Sequence, residues 1–304
     1  MAIEFILRLA SFIASYIQPP KLLRYTRTKA PFWAIVTGST SGVGLALCSE
    51  LCSRGFNIIL HGRDILKLKA VQSELVARFP KLECDILVLD AATCFSQKQY
   101  DISQNSILEA TNNRTVTLLI NNVGMGHNLD TDFRPFTSQA PPSIDTLLNT
   151  NISFMTHLTQ IMLPTLAEST PALIINIGSL AELAMPYIAV YSATKAYISA
   201  FTKALDAEMH AENLDIKVEC MLFGDIDTPV HPMKQSLAVL GAEDAARCIL
   251  DRGGSMGSWG LPPVGAPYWF HGLLLWLCQI QPWSVLRAGF IHNLKAKQTH
   301  MRQD

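Results

Sequence analysis

Charge of one sign is the first thing this sequence does without: 24 Lys and Arg stand against 25 Asp and Glu, and charged residues make up only 16% of the chain. A near-neutral chain has no electrostatic footprint for a polyanion, which argues against nucleic acid as the main partner. Paired cysteines are lacking too. The 7 cysteines are odd in number and none are spaced CxxC, so they read as free thiols in a reducing compartment. Cys48 and Cys52 lie four apart on an expected helix, but no further His or Cys pair joins them, and no metal site is expected. Internal repeats and low-complexity tracts are absent. The apolar stretch YWFHGLLLWLCQI (268–280) is too short for a helix that must cover a bilayer in about 20 residues.

What the chain has in quantity is apolar surface. Hydrophobic residues are 49% of its 304 positions, and its mean hydropathy of +0.22 implies more than a core. Some of the excess sits at the start. Across MAIEFILRLASFIASYIQ, the residues Glu4, Arg8, Ser11, Ser15 and Gln18 form one narrow polar stripe on a helix with a wide apolar face. Pro19-Pro20 ends it, and Lys21, Arg24, Arg27 and Lys29 follow. The pattern reads as a helix lying on or inserted in a membrane, with the body of the protein on the cytosolic side. The alternative is a helix covering part of the folded domain. A cleaved secretory signal fits less well, since no small-x-small site is evident.

From Trp33 onwards the pattern becomes strand and helix in alternation. The apolar runs WAIVTG (33–38), NIILHG (57–62), CDILVLD (84–90), TLLINN (117–122), ALIINIG (172–178) and KVECMLFG (217–224) are continuous, as in a parallel sheet covered on both faces. Helical stretches fill the gaps at 43–54, 65–78, 144–168 and 191–211. The expected fold is α/β: a doubly wound parallel sheet of Rossmann type, binding ligands at the strand carboxyl ends. Residues 31–255 would form this domain, 1–30 a membrane-associating segment, and 256–304 a hydrophobic C-terminal segment with a basic tail at Lys295, Lys297 and Arg302. That last segment reads equally as a final strand and helix capping the sheet or as a second membrane contact.

The first strand runs through Thr37-Gly38-Ser39-Thr40-Ser41-Gly42-Val43-Gly44 into a helix. Glycines there permit a tight turn, close approach to a pyrophosphate and close helix packing. The helix N-terminus offers free N–H groups to the phosphates. At the second strand end Arg63 can meet a ribose 2′-phosphate, which favours NADP(H) over NAD(H), although Asp64 is adjacent. Asp90 is placed to touch the adenine edge, and Asn122, Val123 and Gly124 to border the nicotinamide half.

In Tyr191-Ser192-Ala193-Thr194-Lys195, Tyr and Lys four apart share one helix face. A phenol that titrates near about 10 becomes a useful acid at neutral pH when a cation stands beside it. Lys195 can also hold the nicotinamide ribose. Ser179 can donate to a substrate carbonyl oxygen, and Asn151 can hold a water that links Lys195 to solvent. A YxxxK pair alone is often a surface pair. Its occurrence with TGxxxGxG, NNxG and an upstream Ser, in order, points to carbonyl reduction.

With these motifs the sequence resembles the short-chain dehydrogenase/reductase family over roughly 33–230. The stretch from INIGSLAEL through YSATKAYISAF is most similar to steroid 17-keto reductases and very-long-chain 3-oxoacyl-CoA reductases. The resemblance implies a homodimer through the 144–168 and 191–211 helices. It also implies cofactor contacts from Ile226 and Thr228, with Thr228 at the carboxamide, and hydrophobic ends that hold the protein on the endoplasmic reticulum membrane. The expected activity is NADPH-dependent reduction of a ketone or aldehyde on a lipophilic molecule: a steroid, a fatty acyl derivative, or a polyketide- or terpenoid-like compound. Very-long-chain 3-oxoacyl-CoA reduction is one alternative, and a catalytically silent NADP-binding sensor or scaffold another. Two features depart from the family pattern. Ser179 precedes Tyr191 by twelve residues where thirteen is usual, and Phe223-Gly224 replaces the usual Pro-Gly. A long substrate lid is absent, which tells against acyl-CoA.

Overall fold

The computed structural model describes residues 2–26, 31–126 and 135–300. Arg27, Lys29 and Arg302 of the expected basic clusters lie outside them.

The continuous apolar runs become strands, buried on both faces in the centre of the sheet and half-buried at its two edges. These are β1 (Phe32–Thr37), β2 (Asn57–Gly62), β3 (Cys84–Val88), β4 (Thr115–Asn121), β5 (Ala172–Ile177) and β6 (Ile216–Met221), with the short β9 (Val264–Gly265) at the edge. They form one seven-stranded parallel sheet in the order β3-β2-β1-β4-β5-β6-β9. The chain steps outward from β1 to β3, then returns to lay β4 on the other side of β1. The β1/β4 border is therefore the topological switch point, where a ligand crevice opens at the carboxyl ends.

Two core clusters divide by sheet face, with side chains alternating along each strand except in β4, where the pairing with β1 skips Thr117 and shifts the register. Ala34, Val36, Ile58, Leu60, Leu118 and Ile120 join one, against α2 (Gly42–Ser53), α3 (Ile65–Arg78) and α8 (Ala242–Arg252). Trp33, Ile35, Ile59, Val116, Leu119 and Ile174 join the other, against α4 (Tyr100–Thr111), α6 (Phe154–Glu168) and α7 (Ala189–Ala211).

The expected 144–168 helix is an interrupted run: α5 (Pro141–Leu148), a π turn over Asn149–Ser153, then α6. A buried polar ladder fixes this layer to the sheet. Asn121 Nδ2 donates to Thr159 Oγ1 at 3.0 Å and to Asn176 Oδ1 at 2.8 Å, and Asn176 Nδ2 donates to Thr202 Oγ1 at 2.9 Å. In so dry an interior, losing one of these N–H partners would cost about 1–3 kcal/mol. The ladder thus ties α6 and α7 to the sheet; expected site residues lie on α7 and in the π turn just before α6.

Both terminal segments pack on this body. In α1 (Ala2–Ile17) the Tyr16 hydroxyl donates to Ala266 O at 2.8 Å, and the Phe12 ring meets Trp276 of α9 (Trp269–Gln279) at 6.3 Å. Gln18, on the expected polar stripe, is buried, and its Nε2 donates to Ser258 O. Leu9, Ile13 and Ile17, one turn apart, face outward instead. Lys21 donates to Ser258 Oγ and Arg24 pairs with Asp215, so these two cations serve the domain itself. The last helix, α10 (Trp283–His300), buries Leu294 against Ala181 and Ile188. No helix of the described residues is long and apolar enough to cross a membrane.

Candidate active site

The turn after β1 is built around two glycines. Gly38 has φ +70, a left-handed conformation. At Gly44, a Cβ would lie 2.1 Å from Gly38 O and 2.7 Å from Asn122 Nδ2, so any side chain would force α2 away from the strand. Thr37 ties the turn to its neighbour: its hydroxyl donates to Ile120 O and accepts from Asn122 N at 2.8 Å and Val123 N at 2.9 Å. Asn122 Nδ2 closes the junction on Thr37 O at 2.8 Å. The loops after β1 and β4 are thereby locked together across the switch point.

Ser41 is the N-cap of α2, yet its side chain makes no capping hydrogen bond. The first N–H groups of the helix, from Gly42, Val43 and Gly44, are left for an incoming acceptor, and the helix dipole favours an anion there. Thr228 stands beside this turn, its Cγ2 3.2 Å from where a Cβ on Gly42 would sit. Ile226 lies in the short β7 (Asp225–Asp227), half-buried against the same core. The bare helix start, a cradle that any Cβ would fill and a threonine at its rim suit a dinucleotide pyrophosphate.

His61 supports this turn, a role sequence reasoning did not assign it. The ring is buried and stacks on Phe154 at 4.8 Å; its Nδ1 accepts from Gly38 N at 3.3 Å. Burial pushes the imidazole from its ordinary 6.5 down to about 4, so it stays neutral and keeps that acceptor. Arg63, two residues on, is exposed and meets no carboxylate among the described residues. Asp64 is the N-cap of α3, its carboxylate accepting from Leu66 N at 2.9 Å and Lys67 N at 3.2 Å. Asp90 lies two residues beyond β3, its Oδ1 accepting from Ala92 N.

At the carboxyl ends of β4 and β5 the residues expected to carry acid–base chemistry gather. Lys195 is only 6% exposed and donates from Nζ to Ile177 O at 3.0 Å. The same Nζ lies 5.7 Å from the Tyr191 ring centroid and 3.4 Å from a Cβ position on Gly124. Asn151, in the π turn, spends its side chain on struts. Its Oδ1 accepts from Met125 N at 2.7 Å, while Nδ2 donates to Met125 O and to Thr194 Oγ1 at 3.1 Å. Thr194 in turn donates to Tyr191 O at 2.7 Å. One chain of hydrogen bonds thus runs from the loop after β4 through the π turn to the backbone of Tyr191. Thr194 lay inside the YSATK motif, but nothing in the sequence marked it as the link.

Ser179 N-caps a 3-10 turn over Leu180–Leu183, where its Oγ accepts from Ala181 N at 3.1 Å. That bond uses a lone pair and leaves the hydroxyl proton to be given elsewhere. The shortened link from Ser179 to Tyr191 contains two non-glycine residues in left-handed conformation, Ala184 at φ 64 and Tyr187 at φ 65. Met185 and Tyr187 pack with Tyr191 against the Ala181, Ile188 and Leu294 cluster, so α10 braces this loop.

The profile of the family described as short chain dehydrogenase matches residues 32–237. A very-long-chain 3-oxoacyl-CoA reductase of Podospora anserina is 30% identical over 91% of this chain and 78% of its own. Among solved structures, the bulky-bulky ketone specific alcohol dehydrogenase of Comamonas testosteroni superposes with a TM-score of 0.62 at 26% identity, over 79% of this chain and 87% of that one. The L-sorbose reductase of Gluconobacter frateurii, complexed with NADPH and L-sorbose, does so at 0.56 and 25% identity, over 64% and 70%.

Proposed function

Given that the chain belongs to the short-chain dehydrogenase family, we propose that it is an NADP(H)-dependent reductase of a carbonyl group on an apolar, fatty-acyl-type substrate. One observation carries this reading above the others: the buried Lys195 ammonium lies beside the Tyr191 ring while a hydrogen-bonded strut from Asn151 through Thr194 fixes the Tyr191 backbone.

When bound, NADP(H) supplies the hydride equivalent. Gly38, Gly42 and Gly44 leave room for its phosphates, with the α2 N–H groups of Gly42, Val43 and Gly44 and the Ser41 cap beside them as donors. Arg63 is free to take the 2′-phosphate because Asp64 is occupied in capping α3. Asp90 borders the adenine side, and Asn122, Val123, Gly124, Ile226 and Thr228 the nicotinamide side. Ser179 donates its unused proton to the substrate oxygen and holds it in place. Tyr191 gives that oxygen a proton, and the Lys195 ammonium stabilises the phenolate left behind. The side chain of Asn151 is engaged with Met125 and Thr194, so its part is positional.

The substrate class rests on the apolar surroundings of Tyr191 and on the relatives. Ile188 and Leu294 belong to a buried apolar cluster against which Tyr191 packs, and the Podospora relative is named for a 3-oxoacyl-CoA. A long-chain 3-oxoacyl thioester is therefore the preferred substrate within this reading. Association with the endoplasmic reticulum membrane, catalytic body towards the cytosol, belongs to the same proposal, as does a homodimer. Its support is the outward row Leu9, Ile13 and Ile17 with Trp259, Trp269 and Trp283 exposed at 62%, 48% and 53%. Replacing Tyr191 by Phe should abolish turnover of long-chain 3-oxoacyl thioesters and lipophilic ketones while NADPH binding persists. Retained turnover overturns the assignment.

A further inference from the structure

After β6 the chain carries Phe223 where the family pattern has Pro but keeps the glycine at Gly224, and both residues meet His271 of α9. His271 of that helix is fully buried. Its Nδ1 accepts from Gly224 N at 3.2 Å, and its Nε2 lies 3.1 Å from Ala238 O. Since Nδ1 is the acceptor, the proton belongs on Nε2, which donates to the carbonyl. One imidazole therefore bridges Gly224, where the 224–241 excursion begins, to Ala238 near its end. A Cβ at 224 would lie 3.0 Å from Nε2, so the glycine is what lets the ring approach. The rings of Phe223 and Tyr268 meet it edge-on at 6.1 and 5.0 Å, and Tyr268 donates its hydroxyl to Leu237 O at 3.1 Å.

The bridged excursion touches both halves of the site. Phe223 O accepts from Leu180 N at 2.8 Å, next to Ser179. Thr228 abuts the phosphate turn at Gly42. Within it, Asp227 accepts from Met233 N and Gln235 Nε2, and β7 pairs with β8 (Val239–Gly241). Tyr16 of α1 presses on Gly272 and bonds Ala266, backing the helix that holds the imidazole. Burial lowers the affinity of His271 for a second proton, which keeps the acceptor available.

We infer that His271 is a latch: a positioning residue on α9 that holds the 224–241 excursion closed over the cofactor end of the site. The inference rests on the reading of that site as an NADP(H) site, but its first test does not. In the full-length chain without cofactor, His271→Phe keeps the volume and removes both hydrogen bonds. Amide hydrogen exchange, read by mass spectrometry, should quicken at least about tenfold in peptides spanning 224–241 and stay unchanged in β1, β4 and β5. His271→Asn, which restores an acceptor for Gly224 N, should recover part of the protection, and Tyr268→Phe, a milder cut at Leu237 O, should lose part of it. NADPH should then bind His271→Phe about tenfold more weakly than wild type. Unchanged exchange in 224–241, or an equal rise throughout the sheet, overturns the latch. If His271→Phe fails to fold, Tyr268→Phe carries the same test. Local loosening in a wild-type-like protein that never binds NADPH would sink the functional reading and leave the latch standing.

Discussion

In the proposed reductase, cofactor choice turns on Arg63 and Asp64, whose environments differ. Arg63 leaves the end of β2 with its guanidinium exposed and without a carboxylate partner among the described residues. Asp64 spends its carboxylate on two backbone N–H groups of α3. Arg63→Ala should therefore remove the contact to a 2′-phosphate and nothing else. A charge-assisted hydrogen bond contributes about 1.5–3 kcal/mol when well formed. At so exposed a position solvent screening cuts this to roughly 1–2 kcal/mol, or about 5- to 30-fold in dissociation constant. Titrating NADPH and NADH by fluorescence at two ionic strengths measures it. NADPH binding should weaken by that factor, more at low salt, while NADH binding moves less than about twofold. An equal loss for both cofactors refutes the reasoning, as does no loss for either. Asp64→Ala supplies the control: it should cost about 1 kcal/mol of stability as a lost N-cap and leave the preference alone.

Two further outcomes follow from groups outside the nucleotide site. Leu294→Ala should raise the KM of long-chain ketone substrates and leave the NADPH dissociation constant unchanged, since Leu294 packs on Ala181 and Ile188 beside Tyr191; steady-state kinetics with each substrate varied would show it, and a parallel loss of NADPH affinity would refute it. Glu219, fully buried in β6, accepts from Gly254 N at 2.8 Å near Tyr25, Arg252, Lys217 and Asp206, and burial pushes its carboxyl from 4.5 up to about 8. A raised pKa means stability that is complete below about 4.5 and drains away as pH climbs through about 8, by up to roughly 5 kcal/mol at about 1.4 kcal/mol per unit. Thermal melts of wild type and Glu219→Gln across pH 4.5 to 9 should diverge over that window, and parallel curves would sink the account.

Which parts were legible in the sequence follows from the range over which each feature is determined. The apolar runs located β1 to β6 within a few residues, and the 65–78 helix emerged with both ends as expected. These are local patterns, set by periodicity and by caps such as Asp64. TGSTSGVG, NNVG and YSATK were legible for the same reason: each motif is short and its parts lie next to each other. The struts between the motifs were not. Asn151 meets Thr194 across 43 residues, Gly224 meets His271 across 47, and His61 reaches Gly38 across 23. Nothing in the local composition of a lone His says that its partner is a backbone amide on another element. The C-terminal apolar segment left two readings open because α9 is apolar on most sides. Its packing resolved one part: His271, Gly272 and Leu275 face the body, whereas Trp269, Leu277 and Ile280 face out. The short Ser179-to-Tyr191 spacing is taken up in the same non-local way. Ser179 keeps its place by capping the next turn, and Tyr191 keeps its place through Thr194 and the α7 backbone. With both ends fixed, the missing residue can be absorbed only between them, and Ala184 and Tyr187 turn left-handed to do so. Such residues cost about 1–3 kcal/mol each and persist only where surrounding contacts over-determine them. At Tyr187 those contacts come from the Ala181, Ile188 and Leu294 cluster, which joins α10 to the loop, and at Ala184 from its place as C-cap of the 3-10 turn, its N–H donating to Ala181 O.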